Sequence, residues 1–190
     1  MRRPWLDTLH LDGCIVTLDA MGCQKDIAAR IRAKAADHLL VLKANHGRAF
    51  EAVREHFERT CFGRGSAGRP VLDAFDESHG RLVRRRAFVS SAIGELESLR
   101  DWPDLRTVLA VETIRGGHGT GKTEAEIRYF LTSCGDDPAV LVRAIRRHWS
   151  IENALHWVLD VTFREDDSRV RDRAAARNLA LLRGIALNRP

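Results

Sequence analysis

The chain has 190 residues, 44% of them hydrophobic, with a formal charge of +5 and a pI near 9.4. That length and composition allow one folded core with room for a small second lobe, and they exclude wholesale disorder. No apolar run approaches the roughly 18 residues of a membrane span, so no membrane-spanning helix is expected in these residues.

In chain order, Cys14 to Leu18 is a short β-branched run ending at Asp19 and predicts a buried strand. Gln24 to Ala36 carries Ile27, Ala28 and Ile31 at helical spacing. His38 to Lys43 is a second apolar run, so strand, helix and strand together predict a parallel pair. Arg48 to Arg59 reads as a further helix. Residues 61–70 are rich in Gly, Ser and Arg and break the pattern. Beyond them Arg81 to Ser90, Thr107 to Arg115 and Glu124 to Ser133 predict three antiparallel strands. Asp136-Asp137-Pro138 predicts a capped helix start, with proline in the first turn, running to about Leu159. A last helix spans Arg171 to Leu187. The expected architecture is α/β: an α/β layer in residues 1–60, a small antiparallel β insertion in 61–135, and C-terminal helices in 136–190.

The densest chemistry lies in the segment from Arg147 to Asp160. There Glu152 stands between His148 and His156, four residues to either side, with Trp149 and Trp157 alongside. On a helix these positions share one face, which suits an acid that holds a metal. A zinc site using all three side chains would span two turns, long for one tetrahedral ion. Plain packing of the histidines and tryptophans is the alternative. Asp19, at the carboxyl end of a strand, occupies the place where open α/β sheets bind ligands, although capping of the following turn is the competing role. Asp12 reads as a turn residue with Gly13.

Gly116 to Thr123 satisfies the phosphate-loop pattern G-x-x-x-x-G-K-[ST], but that loop works only ahead of a helix. Here period-two alternation follows, so the glycines predict a hairpin. The bases are nearly all arginine, with lysine only at positions 25, 34, 43 and 122. Arginine's planar fork matches phosphate, though GC-rich coding gives the same bias. Arg143, Arg146 and Arg147, with Arg164, Arg169 and Arg171, form a candidate surface for a phosphate backbone, and Arg84, Arg85 and Arg86 offer a second. Cys14, Cys23, Cys61 and Cys134 show no metal-finger spacing, and the first residues do not resemble a secretory leader. A reduced, cytoplasmic protein is the expectation.

Four stretches carry a family resemblance. They are Ile15 to Ala28, Leu39 to Asn45, Gly121-Lys122-Thr123 with Glu126 and Arg128-Tyr129, and His148 to Asn153 continuing through Leu155 to Phe163, Glu165-Asp166 and Ser168-Arg169. Their order and spacing resemble the bacterial insertion-sequence transposases of the ISAs type, the H-repeat-associated proteins. The resemblance implies a ribonuclease-H-like core of the DDE type, in which two Asp and one Glu hold two Mg²⁺ (or Mn²⁺) ions. Asp19 falls on the second Asp and Glu152 on the Glu, as catalytic and metal-binding residues. His148, Asn153 and His156 are implied in support. Double-stranded DNA, at transposon ends and target, is the implied partner, with self-association or an intact transposase as a second kind of partner.

The pattern also departs from the family. Its first Asp, in an Asp-Gly-Lys context, has no match, and Asp12-Gly13 stands too close to Asp19 to replace it. Relatives in the wider superfamily carry Tyr, Arg and Lys around the Glu. Here His148 stands four before Glu152 and Leu159 seven after. The expectation is therefore a C-terminal fragment with little activity alone, the metal being bound in the complete enzyme. The alternative is a non-catalytic DNA-binding or interfering fragment.

Overall fold

The computed structural model describes residues 5–63, 65, 68–78, 81–116, 123–135, 137–151 and 158–187. They fall into two compact units, Met1–Ala144 and Ile145–Pro190.

In the first unit the apolar runs form strands as expected. β1 (Ile15–Leu18) and β2 (Asp37–Leu42) are parallel, joined by the helix α2 (Lys25–Arg32), and a single turn α1 (Trp5–Thr8) precedes them. Ile27 and Ile31 of α2 pack with Leu6 and Ala36 against Val16 and Leu18. A second helix, α3 (Gly47–Phe57), lays Ala49, Val53 and Phe57 into the main core with Leu40, Leu42, Phe88, Val108, Tyr129 and Leu131. Phe57 stacks on the Tyr129 ring at 6.1 Å, and Phe62 meets Phe88 edge-on at 4.9 Å. A loop carrying Leu96, Leu99 and Trp102 closes over the same cluster.

Four further strands are described: β3 (Leu72–Ser78), β4 (Arg81–Ser90), β5 (Thr107–Gly116) and β6 (Thr123–Thr132). Among the described residues all six strands form one sheet in the order β1-β2-β6-β5-β4-β3, antiparallel everywhere except at the β1–β2 pair. Three antiparallel strands were expected after residue 61, and β3 is the addition. Its acids, Asp73, Asp76 and Glu77, are poor strand formers, so the run lacks a strand signature. Asp73 is matched by the basic strand β4 instead: it stands opposite Arg86, and its carboxylate accepts from both Nε and Nη2 of Arg84 at 2.8 and 2.6 Å. The strands expected in the insertion are continuous with β2, because Leu39 to Leu42 pair with Tyr129 to Thr132.

A buried polar clamp fixes that junction. Thr132 Oγ1 donates to the His38 carbonyl at 2.6 Å, Ser133 Oγ accepts from the His38 amide and donates to Asp37, and Thr107 Oγ1 donates to the Cys134 carbonyl. Arg32 reaches Asp37 and Asp104 from α2. A slip of one residue would strand these groups, so the clamp specifies register as well as adding stability.

The β5–β6 ladder runs outward to Gly116 opposite Thr123. A strand, and no helix, therefore follows the glycine-rich segment, and the phosphate-loop reading is excluded on its own structural requirement. Residues 117–122 lie outside the described set.

The helix α4 (Pro138–Ile151) begins as expected: Asp137 Oδ1 accepts the Ala139 amide at 2.9 Å. In the second unit a wide turn, Val158–Thr162, closes with Phe163 donating to the Val158 carbonyl. The final helix, α5 (Arg173–Leu187), starts two residues later than predicted, because Asp172 caps it through the Ala175 amide at 2.8 Å. No helix among the described residues is long and apolar enough to cross a membrane.

Candidate functional site

β1 and β2 run parallel, Leu18 opposite Leu40, so the residues that follow them lie toward the same edge of the sheet. Asp19 follows Leu18, and Lys43 follows Leu42. Asp19 precedes the tight turn Ala20–Gly22, yet its carboxylate makes no capping hydrogen bond; the turn closes through its backbone carbonyl, which accepts the Gly22 amide at 2.7 Å. The capping role that competed for this residue is thus filled by the backbone. The carboxylate stays open to solvent, with 58% of the side chain exposed.

Gly22 is required where it stands, since a Cβ there would lie 2.7 Å from that of Leu18. The turn consequently folds tightly onto the end of β1 and aims Asp19 outward. Beneath it Cys23 is fully buried, and burial pushes its thiol up to about 12, leaving it protonated and unsuited to metal. Burial likewise raises Cys134.

The sequence reading did not foresee what surrounds Asp19. Lys43 Nζ lies 3.6 Å from Asp19 Oδ1, an ion pair too long for a hydrogen bond. Asn45 Nδ2 donates to the Ala20 carbonyl at 3.3 Å, and His46 Nε2 bonds the Cys23 carbonyl. The His46 ring also meets Trp102 edge-on at 5.5 Å. The loop after β2 is thus tied to the loop after β1 at two points, with a loose charge pair above them. One available signal was Lys43 itself, a lysine just past a strand end in a chain whose bases are nearly all arginine.

Of the other predicted residues, Glu152, Asn153 and His156 lie outside the described residues. His148 is described and buried, 8% exposed, near the end of α4. Among the described residues no three His, Cys, Asp or Glu side chains converge. Of the predicted metal-binding acids, Asp19 is the one that is described, and it offers a hard anionic oxygen in an open position, the donor chemistry that Mg²⁺ and Mn²⁺ take.

All six candidate phosphate-binding arginines are exposed: Arg143, Arg146 and Arg147 on α4, and Arg164, Arg169 and Arg171 in the segment after the wide turn. Spacing of three and four residues puts the α4 trio on one helix face. Arg164 adopts a left-handed backbone, φ 49°, at the end of that turn. Glu165 beside it is held by Arg183 of α5 at 3.1 Å, so the mixed-charge run is partly neutralised from within. The second expected patch is divided by the pleat. Arg84 and Arg86 face one side, committed to Asp73 and Glu112, while Arg85 faces the other.

Comparison with known proteins decides what kind of protein carries this edge. A family profile described as Transposase DDE domain matches residues 2–189. The chain belongs to the transposase DDE domain family. Its relatives include the Escherichia coli O157:H7 protein named "Putative transposase YncI", 37% identical over 188 residues that cover 96% of this chain and 47% of that protein. Another is the Escherichia coli K12 protein named "H repeat-associated putative transposase YhhI", 35% identical over 189 residues, 96% of this chain and 49% of the relative. A third, from Xanthobacter autotrophicus, is 35% identical over 133 residues, 70% of this chain and 43% of its own length. The chain spans about half the length of the curated relatives it matches. The mixed sheet with its helices is consistent with the ribonuclease-H-like core of a DDE transposase.

Proposed function

We propose that this chain carries two of the acids of a DDE transposase, Asp19 and Glu152, which together bind Mg²⁺ or Mn²⁺ to cut and rejoin insertion-sequence DNA. In this reading residues 1–60 belong to the ribonuclease-H-like sheet, 61–135 form the β insertion, and 136–190 are helices bearing Glu152. The supporting observation is the Asp19 carboxylate, released from capping and open at the carboxyl edge of a parallel strand pair in a member of this family.

Each residue has a defined task. Asp19 and Glu152 supply hard oxygen ligands. Arg143, Arg146 and Arg147, with Arg164, Arg169 and Arg171, neutralise phosphates and hold duplex ends and target against the protein. His148, buried on α4, sets the orientation of the helix leading to Glu152, and Asn153 and His156 flank that acid in sequence. When bound, a divalent cation supplies Lewis-acid stabilisation to the attacking and leaving oxygens of an in-line phosphoryl displacement. Acting on insertion-sequence DNA, such a protein works in the cytoplasm, through self-association or alongside an intact transposase.

The chain matches two of the family's three acids, so its own metal site is weak and its own cleavage slow. A missing ligand raises the barrier by several kcal/mol, or about three orders of magnitude in rate. The test is Mn²⁺ uptake at millimolar concentration, read by water-proton relaxation, together with cleavage of terminal inverted repeats. Asp19→Asn and Glu152→Gln should each abolish uptake. Uptake or cleavage that survives both substitutions would remove these two acids from the site.

A second reading, duplex binding without chemistry, is favoured by the six exposed arginines. It predicts salt-sensitive duplex binding and intact strands in Mn²⁺.

A further inference from the structure

We propose that Lys43 is a movable counter-charge, resting against Asp19 in the metal-free protein and turning to a phosphate of bound DNA when a divalent cation takes that carboxylate. This inference rests on the metal and DNA reading given above and adds to it a residue that nothing in that reading contains.

The geometry separates a fixed backbone from a free side chain. Asn45 and His46 pin the loop after β2 to the Ala20 and Cys23 carbonyls, so the Lys43 backbone, extended at φ −129° and ψ 177°, is held in place. Its ammonium is not. The 3.6 Å separation from Asp19 is too long for a hydrogen bond, and both side chains are 58% exposed, so solvent screens the attraction and release is easy. A cation on Asp19 would set like charges side by side, which the ion pair cannot survive. Lysine suits this behaviour better than arginine, because a point charge on a four-carbon stem rotates freely, whereas a guanidinium is best used in a fixed planar fork. The chain has only four lysines against 27 arginines, and one of them stands here.

The role has a signature with two opposite signs. Lys43→Gln removes a competitor for Asp19, so Mn²⁺ binding by the DNA-free chain should tighten, by about two- to five-fold. The same substitution removes a phosphate contact, so duplex affinity should fall and the slope of log affinity against log salt should shrink by about one. Lys43→Arg keeps the charge and should restore most of the duplex affinity. A lysine that merely props the loop would weaken both bindings together. The experiment is Mn²⁺ relaxation titration and duplex binding at several salt concentrations. It uses the full 190-residue chain and the variants Lys43→Gln, Lys43→Arg and Asp19→Asn, with thermal melts to verify folding. Tighter Mn²⁺ with weaker, less salt-dependent duplex binding supports the proposal. Unchanged or weaker Mn²⁺ binding, or an unchanged salt slope, overturns it. If Asp19→Asn still abolishes Mn²⁺ uptake in that case, the metal assignment stands without Lys43. A wild-type chain that takes up neither Mn²⁺ nor duplex overturns both.

Discussion

The two charged regions of the first unit use the same residue types in opposite ways. On the outer sheet, Arg86 grips Glu112 at 2.5 Å with only 12% of the glutamate side chain exposed, and Arg84 holds Asp73 with both Nε and Nη2. At the carboxyl edge of β1 and β2, Asp19 and Lys43 face each other at 3.6 Å, each mostly exposed. The first arrangement commits its charges to strand pairing, and its more buried pair, Arg86–Glu112, leaves a large penalty when one partner is removed. The second keeps its charges available. A short, buried ion pair is a structural element here, and a long, exposed one is a candidate for chemistry.

The largest effect should come from breaking the tight side of that contrast. Glu112→Ala leaves the Arg86 guanidinium without its acceptor on a central strand, and should cost about 2 kcal/mol in chemical unfolding. A loss near zero would mean that Arg86 finds water instead. Next in size is the response of the buried clamp to acid. Burial holds His38 below the ordinary histidine range, opposed by the carbonyls of Pro103 and Leu131. The unfolded chain therefore takes up a proton first. Stability is complete at neutral pH and falls as pH drops through about 6.5, the usual histidine value. His56, also lowered by burial, adds to the same trend. Thermal melts from pH 8 to 5 should show this slope, and His38→Gln should flatten it; parallel slopes for the two proteins would place the acid sensitivity elsewhere.

Smaller still is Asp73→Asn. The Arg84 hydrogen bonds hold the Asp73 carboxyl below the usual carboxylate range, but the pair sits on an exposed edge. Its removal should lower the melting temperature less than Glu112→Ala does and lose its effect at high salt. Last comes Asp19→Asn, which should change stability by no more than about 0.5 kcal/mol because the exposed pair contributes little. Measurable destabilisation by Asp19→Asn would erase the distinction between the two regions.

Much of this arrangement could be read from local sequence, and the reason is physical. The β1–α2–β2 unit follows from apolar periodicity, the β5–β6 hairpin from alternation after the glycines, and the start of α4 from Asp137 and Pro138. Each of these signals is carried by neighbours in the chain. What escaped depends on distant partners. β3 became a strand through arginines of β4, although its own acids argue against one. Arg84, Arg85 and Arg86 look like a basic patch until the pleat sends Arg85 to the other face and Asp73 and Glu112 arrive from other strands. Lys43, Asn45 and His46 acquire their meaning from carbonyls and a carboxylate more than 20 residues away. Glu152 was legible as a residue type at a helical spacing between two histidines.

The most direct test of the central claim is iron-directed backbone cleavage. Fe²⁺ replaces the divalent cation, and ascorbate with peroxide generates radicals that cut the chain beside the bound ion. The account predicts cuts in two places, near Asp19 and near Glu152, both lost in Asp19→Asn and both suppressed by excess Mg²⁺. Cutting near one acid alone, or cutting that persists without Asp19, would contradict it.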